Sequence, residues 1–207
     1  MTPYPLQFSV DYPDRELDRM SSFLRIFFFI PIAILLGTVD GATWTVYGNG
    51  KQYSVVAAGG ILVAGPLLMI LFRQKYPRWW FDWNLQLMRF SSRVVAYLLL
   101  MDDRYPSTDD EQSVHLDIVY PDAERDLNRW MPLVKWFLAI PHYIILFFLY
   151  IGSFFVAIAT WLAVVFTGRY PEGLFRYQEG VLRWSSRVVA YMAILVTDTY
   201  PPFSLSA

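Results

Sequence analysis

Ser91-Ser92-Arg93-Val94-Val95-Ala96-Tyr97 returns unchanged as Ser185-Ser186-Arg187-Val188-Val189-Ala190-Tyr191. The flanks agree with this repeat: Lys75-Tyr76-Pro77 aligns with Arg169-Tyr170-Pro171, Arg89 with Arg183, and Phe90 with Trp184. Such a run is improbable by chance and reads as an internal duplication. A duplicated chain folds twice by one plan, so each half constrains the reading of the other. The alternating stretches Leu6–Tyr12 and Val114–Tyr120 open the two copies, and Tyr105-Pro106 and Tyr200-Pro201 close them. The expected repeats are residues 1–106 and 107–207.

Composition says what surrounds such a chain. Of its residues 56% are hydrophobic and only 17% charged, where soluble domains carry about 25% charge. Eight Trp and fourteen Tyr residues suit the two interfaces of a bilayer. A net charge of −1 and the lack of a basic run interleaved with aromatics give no reason to expect a nucleic-acid partner. The lack of cysteine excludes disulfides, thiolate metal sites and a cysteine nucleophile. The N-terminus is polar up to Asp18, so the first apolar run is expected to remain as an anchor.

The predicted fold is an all-α membrane protein with minor β structure. Each repeat holds a short strand, a transmembrane helical hairpin and an interfacial amphipathic helix. The two strands are half-buried by their alternation and could pair with each other. The first hairpin covers about residues 20–72. Its spans are Met20–Val39, kinked at Pro31, and Ser54–Phe72, joined by a polar, glycine-rich loop at Asp40–Tyr53. The second covers about residues 133–167, twice a bilayer crossing in length, with reversal expected near Tyr150-Ile151-Gly152-Ser153. Small residues predict close helix packing at Gly60, Ala64, Gly152, Ser153 and Ala157.

The amphipathic helices are expected at about 77–101 and 172–195. Arg78, Asp82, Gln86, Arg89 and Arg93 follow spacings of four, four, three and four, and so line one stripe. Of 17 Lys and Arg residues only Lys51 falls between spans one and two. An interfacial placement therefore leaves the rest on one face, with both termini cytoplasmic. A third spanning helix with its polar stripe facing a bundle is the alternative.

Arg89, Arg93, Arg183 and Arg187 are the candidate lipid-phosphate contacts. The competing reading is an ion-paired face, for example Asp82 with Arg89 or Glu179 with Arg183. His142 has no second histidine or intramembrane carboxylate beside it, so it reads as hydrogen-bonded within the bundle. Asp103 and Asp198 each precede a Tyr-Pro by two residues and are expected to cap the amphipathic helix ends. Ser91, Ser92, Ser185 and Ser186 have no base at a telling spacing and read as packing residues. Trp79 and Trp80, with Trp44 and Tyr47 of the extra loop, are the candidate partner contacts.

In the second copy Ala139-Ile140-Pro141-His142 leads into the apolar run. Phe166–Pro171, Leu182–Tyr191 and Tyr200–Leu205 follow. This pattern resembles the bacterial integral membrane proteins grouped as domain of unknown function 4389. The resemblance covers nearly all of the second copy and, more loosely, the first, which departs at Asp40–Tyr53 and at Arg78-Trp79-Trp80. It implies a bacterial inner-membrane location, and no activity, cofactor or site.

With no catalytic constellation and no metal set, the expected function is non-catalytic: an accessory subunit or scaffold of a larger membrane complex. The alternatives are a small oligomeric channel or transporter, and a lipid-headgroup-binding or lipid-handling protein. Expected partners are membrane lipids, with other membrane subunits or further copies of the chain. No cofactor and no enzymatic activity are expected.

Overall fold

The structure is a computed structural model that describes residues 4–39, 43–48, 51–56 and 64–206, with backbone alone at 38–39, 43–48, 51–56 and 64. It is mostly helical. In chain order it runs β1 (Leu6–Val10), α1 (Arg19–Phe23), α2 (Arg25–Val39), β2 (Thr43–Gly48), β3 (Lys51–Val56), α3 (Ala64–Arg73), α4 (Arg78–Leu98), β4 (Val114–Ile118), α5 (Met131–Leu138), α6 (Ile140–Thr167) and α7 (Glu172–Met192).

The two alternating stretches pair with each other. β1 and β4 are antiparallel, with Phe8 opposite Leu116 at the centre, Leu6 opposite Ile118 and Val10 opposite Val114. Leu6, Phe8, Val10, Val114 and Leu116 turn inward, while Gln7, Ser9, His115 and Asp117 face out. A two-stranded unit is marginal by itself, and this one is held by the helices behind it. β1 packs on α7 and β4 on α4. The strand of each sequence half therefore lies on the amphipathic helix of the other.

α4 and α7 both begin directly after a proline, Pro77 and Pro171. Each is followed by a buried leucine at positive φ, Leu100 and Leu195, both at 64°. Leucine is rarely found in that conformation. The two stand at corresponding positions of the copies, where the chain leaves the helix and turns into the core. α6 ends at Gly168, whose left-handed φ of 73° lets its N–H reach Val164 O at 2.7 Å.

The hairpins differ from the expectation. α6 runs unbroken through Tyr150–Ser153, where a reversal was predicted. Its 28 residues give a helix of about 42 Å. Gly152 lies inside it, with the Tyr177 hydroxyl in the space a side chain would need. In the first half α2 has 15 residues, about 22 Å and short of a crossing. It continues past Pro31, while Asp18 caps a separate short α1 by accepting from Met20 N at 2.9 Å. Residues 54–56 of the predicted second span belong to β3, and α3 covers only Ala64–Arg73. The expected loop holds the β2–β3 hairpin. Among the described residues one helix, α6, is long and apolar enough to cross a membrane.

Candidate functional site

α4 and α7 present three faces, and the sequence positions of the copies set all three. The arginine face meets the sheet. Arg183 Nε donates to Phe8 O at 2.9 Å, and its counterpart Arg89 Nε donates to Leu116 O at 2.8 Å. Phe8 and Leu116 are themselves the central pair of the two strands. The pattern continues at the strand ends: Tyr12 Oη donates to Tyr170 O and Tyr120 Oη to Tyr76 O, both at 2.5 Å.

The four predicted phosphate contacts thus point into the protein. Arg183 also donates to Glu179 Oε1 at 2.5 Å and to Leu205 O at 2.8 Å. Arg93 donates to Ser107 O at 3.0 Å and Arg187 to Ser206 O at 3.1 Å. Arg89 pairs with Asp117 at 2.6 Å at the edge of the sheet. Arg93, Arg183 and Arg187 are buried, so their guanidiniums serve as pins between helix and connecting strands. Burial lowers the pKa of Arg93 and of Arg187 from the ordinary arginine value. Asp82 pairs with Arg78 at 3.4 Å instead of with Arg89.

Asp103 and Asp198 reach back to segments earlier in the chain instead of capping their own helices. Asp103 Oδ2 accepts from Asp18 N at 3.3 Å, and Asp198 Oδ2 from Asn128 N at 2.6 Å. Asp103 also pairs with Arg15, and Asp198 with the fully buried Lys135 at 2.7 Å. Lys135 lies 5.0 Å from the Tyr191 ring, while Arg25 lies 3.9 Å from the ring of Tyr97. These are again corresponding residues. Arg25 Nη1 donates to Asp102 O at 2.9 Å, and Lys135 Nζ to Thr197 O at 2.7 Å.

The second face carries the apolar helices. Ile32 of α2 packs on Phe90 and Val94 of α4; Leu146 of α6 packs on Trp184 and Val188 of α7. Along α6 only a narrow seam is buried, at His142, Leu146, Ser153, Thr160 and Val164. His142 Nδ1 accepts from Trp184 Nε1 at 3.1 Å and its ring stacks on Phe203. Gln178 bonds both the hydroxyl and the carbonyl of Ser153. The remaining sides of α6 expose Phe147, Phe148, Phe154, Phe155, Ile158 and Leu162.

The third face is a cleft of about 300 Å³ between α4 and α7. Both copies of the serine pair line it, Ser91 and Ser92 opposite Ser185 and Ser186, with Val95 and Val189 beside them. Its lining carries no charged side chain among the described residues.

Of the other predicted positions, Gly152 and Ser153 do pack against α7, through Tyr177 and Gln178, and Ala157 is half-buried on α6. Gly60 lies outside the described residues, as do the side chains of Ala64, Trp44 and Tyr47. Trp80 covers Gly65 of α3, and Trp79 is exposed. The buried Lys135 and Gln178 were missed by sequence reasoning, whereas the Glu179–Arg183 pair is one of the two ion pairs offered as the competing reading. The signal available for Lys135 was its alignment with Arg25. Among the described residues no cluster could hold a metal ion.

No curated protein and no solved structure matches the chain. Residues 129–204, which carry α5, α6, α7 and the Tyr200-Pro201 end, match a family model described as Domain of unknown function (DUF4389). That segment, the apolar helix with its buried histidine and the arginine helix beside it, is the part of the chain that matches the DUF4389 family.

Proposed function

We propose that the chain is two copies of one membrane module with exchanged strands, acting as a non-catalytic accessory subunit or scaffold in a bacterial inner-membrane complex. The observation that carries this reading is the surface of α6. Its buried seam is narrow, and large apolar side chains cover the rest of its circumference. A helix apolar on nearly all sides belongs in hydrocarbon. α2 repeats the arrangement at shorter length, exposing Ile26, Phe27, Ile30 and Ile34. The matched bonds of Arg183 to Phe8 and Arg89 to Leu116 support the exchanged pair.

A scaffold role fits the use of the polar side chains. Among the described residues the buried charges hold helices and strands together, as Arg183 does with Phe8 and Lys135 with Thr197. Both chain ends and the Asp109-Glu111 linker are placed on the cytoplasmic side in this reading. The test is extraction of the full-length protein from its native membrane after an alkaline carbonate wash. Retention through the wash, followed by migration with another membrane protein at fixed stoichiometry in mild detergent, is expected. Release by carbonate rejects the membrane reading, and repeated isolation as a lone monodisperse chain rejects the subunit role.

A further inference from the structure

We propose that the cleft between α4 and α7 holds a bilayer glycerophospholipid, its acyl chain against Leu87, Val95 and Val189 and its ester carbonyls on the paired serine hydroxyls. This rests on the membrane reading above. The first support is direction. Residues two apart on a helix point about 200° apart, so Arg93 and Val95, or Arg187 and Val189, face opposite ways. The arginines reach toward the sheet and the chain segments that return beside it. The sheet turns Gln7, Ser9, His115 and Asp117 outward, which is a water-facing surface. The cleft therefore opens on the side away from water, flanked by α2 on α4 and α6 on α7.

The second support is continuity. A smaller hollow of about 200 Å³ runs between Leu35 of α2 and Trp83, Leu87 and Phe90 of α4. Leu87 lines both hollow and cleft, so the two adjoin along α4, and the hollow's polar side chains, Gln86 and Thr108, are uncharged. The third is chemistry. The lining is uncharged, and among the described residues none of the four serine hydroxyls has a hydrogen-bond partner. Unpaired donors beside an apolar wall suit the junction of ester and acyl chain, where acceptors sit at the end of hydrocarbon. A volume near 300 Å³ is at the lower end of ligand pockets and suits one chain.

The duplication gives this a further meaning. Of the seven identical residues, Arg93, Val94, Ala96 and Tyr97 are committed to the protein interior in both copies. Ser91, Ser92 and Val95 are identical as well, yet line the cleft.

The test uses the full chain in nanodiscs of phosphatidylethanolamine and phosphatidylglycerol, doped with a phosphatidylcholine whose acyl chain bears a diazirine. After irradiation, labelled peptides are mapped. Labelling at Val95 and Val189 as well as on the exposed α6 phenylalanines is expected. Val189→Trp, at an exposed position, should cut the cleft labelling several-fold and leave α6 labelled. Ser92→Ala with Ser186→Ala should lower the number of lipids retained in native mass spectrometry. Labelling of α6 with none in the cleft overturns this proposal and keeps the membrane reading. No labelling anywhere overturns both. Cross-linking of the cleft to the cleft of a second chain overturns it too, by giving the cleft a protein occupant.

Discussion

Arg183 donates to the carbonyl of Phe8, 175 positions earlier in the chain, at 2.9 Å. That one bond joins the last helix to the first strand, and Arg89 with Leu116 makes its counterpart. The two contacts differ in surroundings. Arg183 is buried with Glu179, whereas Asp117 beside Arg89 is largely exposed. Removing Arg183 leaves Glu179 buried with, among the described residues, Val10 N and Arg176, each at 3.4 Å. Arg183→Ala is therefore expected to cost about 3–5 kcal/mol, and Arg89→Ala about 1 kcal/mol. Thermal unfolding of the two variants in one detergent checks the order. Adding Glu179→Gln should return part of the Arg183 loss.

Gly152 sits where α6 touches Tyr177, whose hydroxyl donates to Leu149 O at 3.0 Å. A methyl group at 152 must displace that hydroxyl. Gly152→Ala is expected to destabilise by about 1–3 kcal/mol, the usual range for overpacking. Tyr177→Phe in the same chain should recover part of it, because the obstructing atom is then gone. Unfolding midpoints of the single and double variants decide this.

Tyr76 and Tyr170 occupy corresponding places, and burial raises both phenols above the ordinary 10.0, Tyr170 to about 12. A raised folded pKa means that the native state holds its proton more tightly than the unfolded chain. The Tyr170 contribution is full below pH 10 and is lost as pH climbs through about 12. Alkaline unfolding followed by tyrosinate absorbance should therefore show late, cooperative ionisation. Tyr170→Phe should make stability fall less steeply over that window. An unchanged profile would show that Tyr170 ionises as freely as an exposed phenol.

The connection at Asp109–Glu111 is exposed and joins halves that hold each other through β1–β4. A protease site inserted there in the full-length chain should be cut without separating the fragments. They should elute together from size exclusion in mild detergent and part only on denaturation. Arg183→Ala is expected to loosen the nicked pair more than Arg89→Ala.

Much of this arrangement was legible in the residues. The alternation in Leu6–Tyr12 and Val114–Tyr120 foretold two strands and their pairing, because a period of two is a property of the backbone alone. The charged stripes foretold α4 and α7 for the same kind of reason. The arginine stripe left two readings open, lipid phosphates or an ion-paired face, since its spacing specifies a face and not what covers it. Chain segments distant in sequence covered it, and their carbonyls took the guanidinium donors.

The sequence by itself determined that one heptapeptide recurs, where each amphipathic helix begins, and that a long apolar segment follows Trp130. Local pattern, proline positions and the duplicated heptapeptide are enough for that. Only the tertiary structure decided that α6 runs straight through Gly152, that each strand crosses to the other half, and that the serine pairs face a common cleft. Each of those outcomes depends on contacts between residues far apart in the chain, and a periodic pattern holds no information about which distant surface will fill the space beside it.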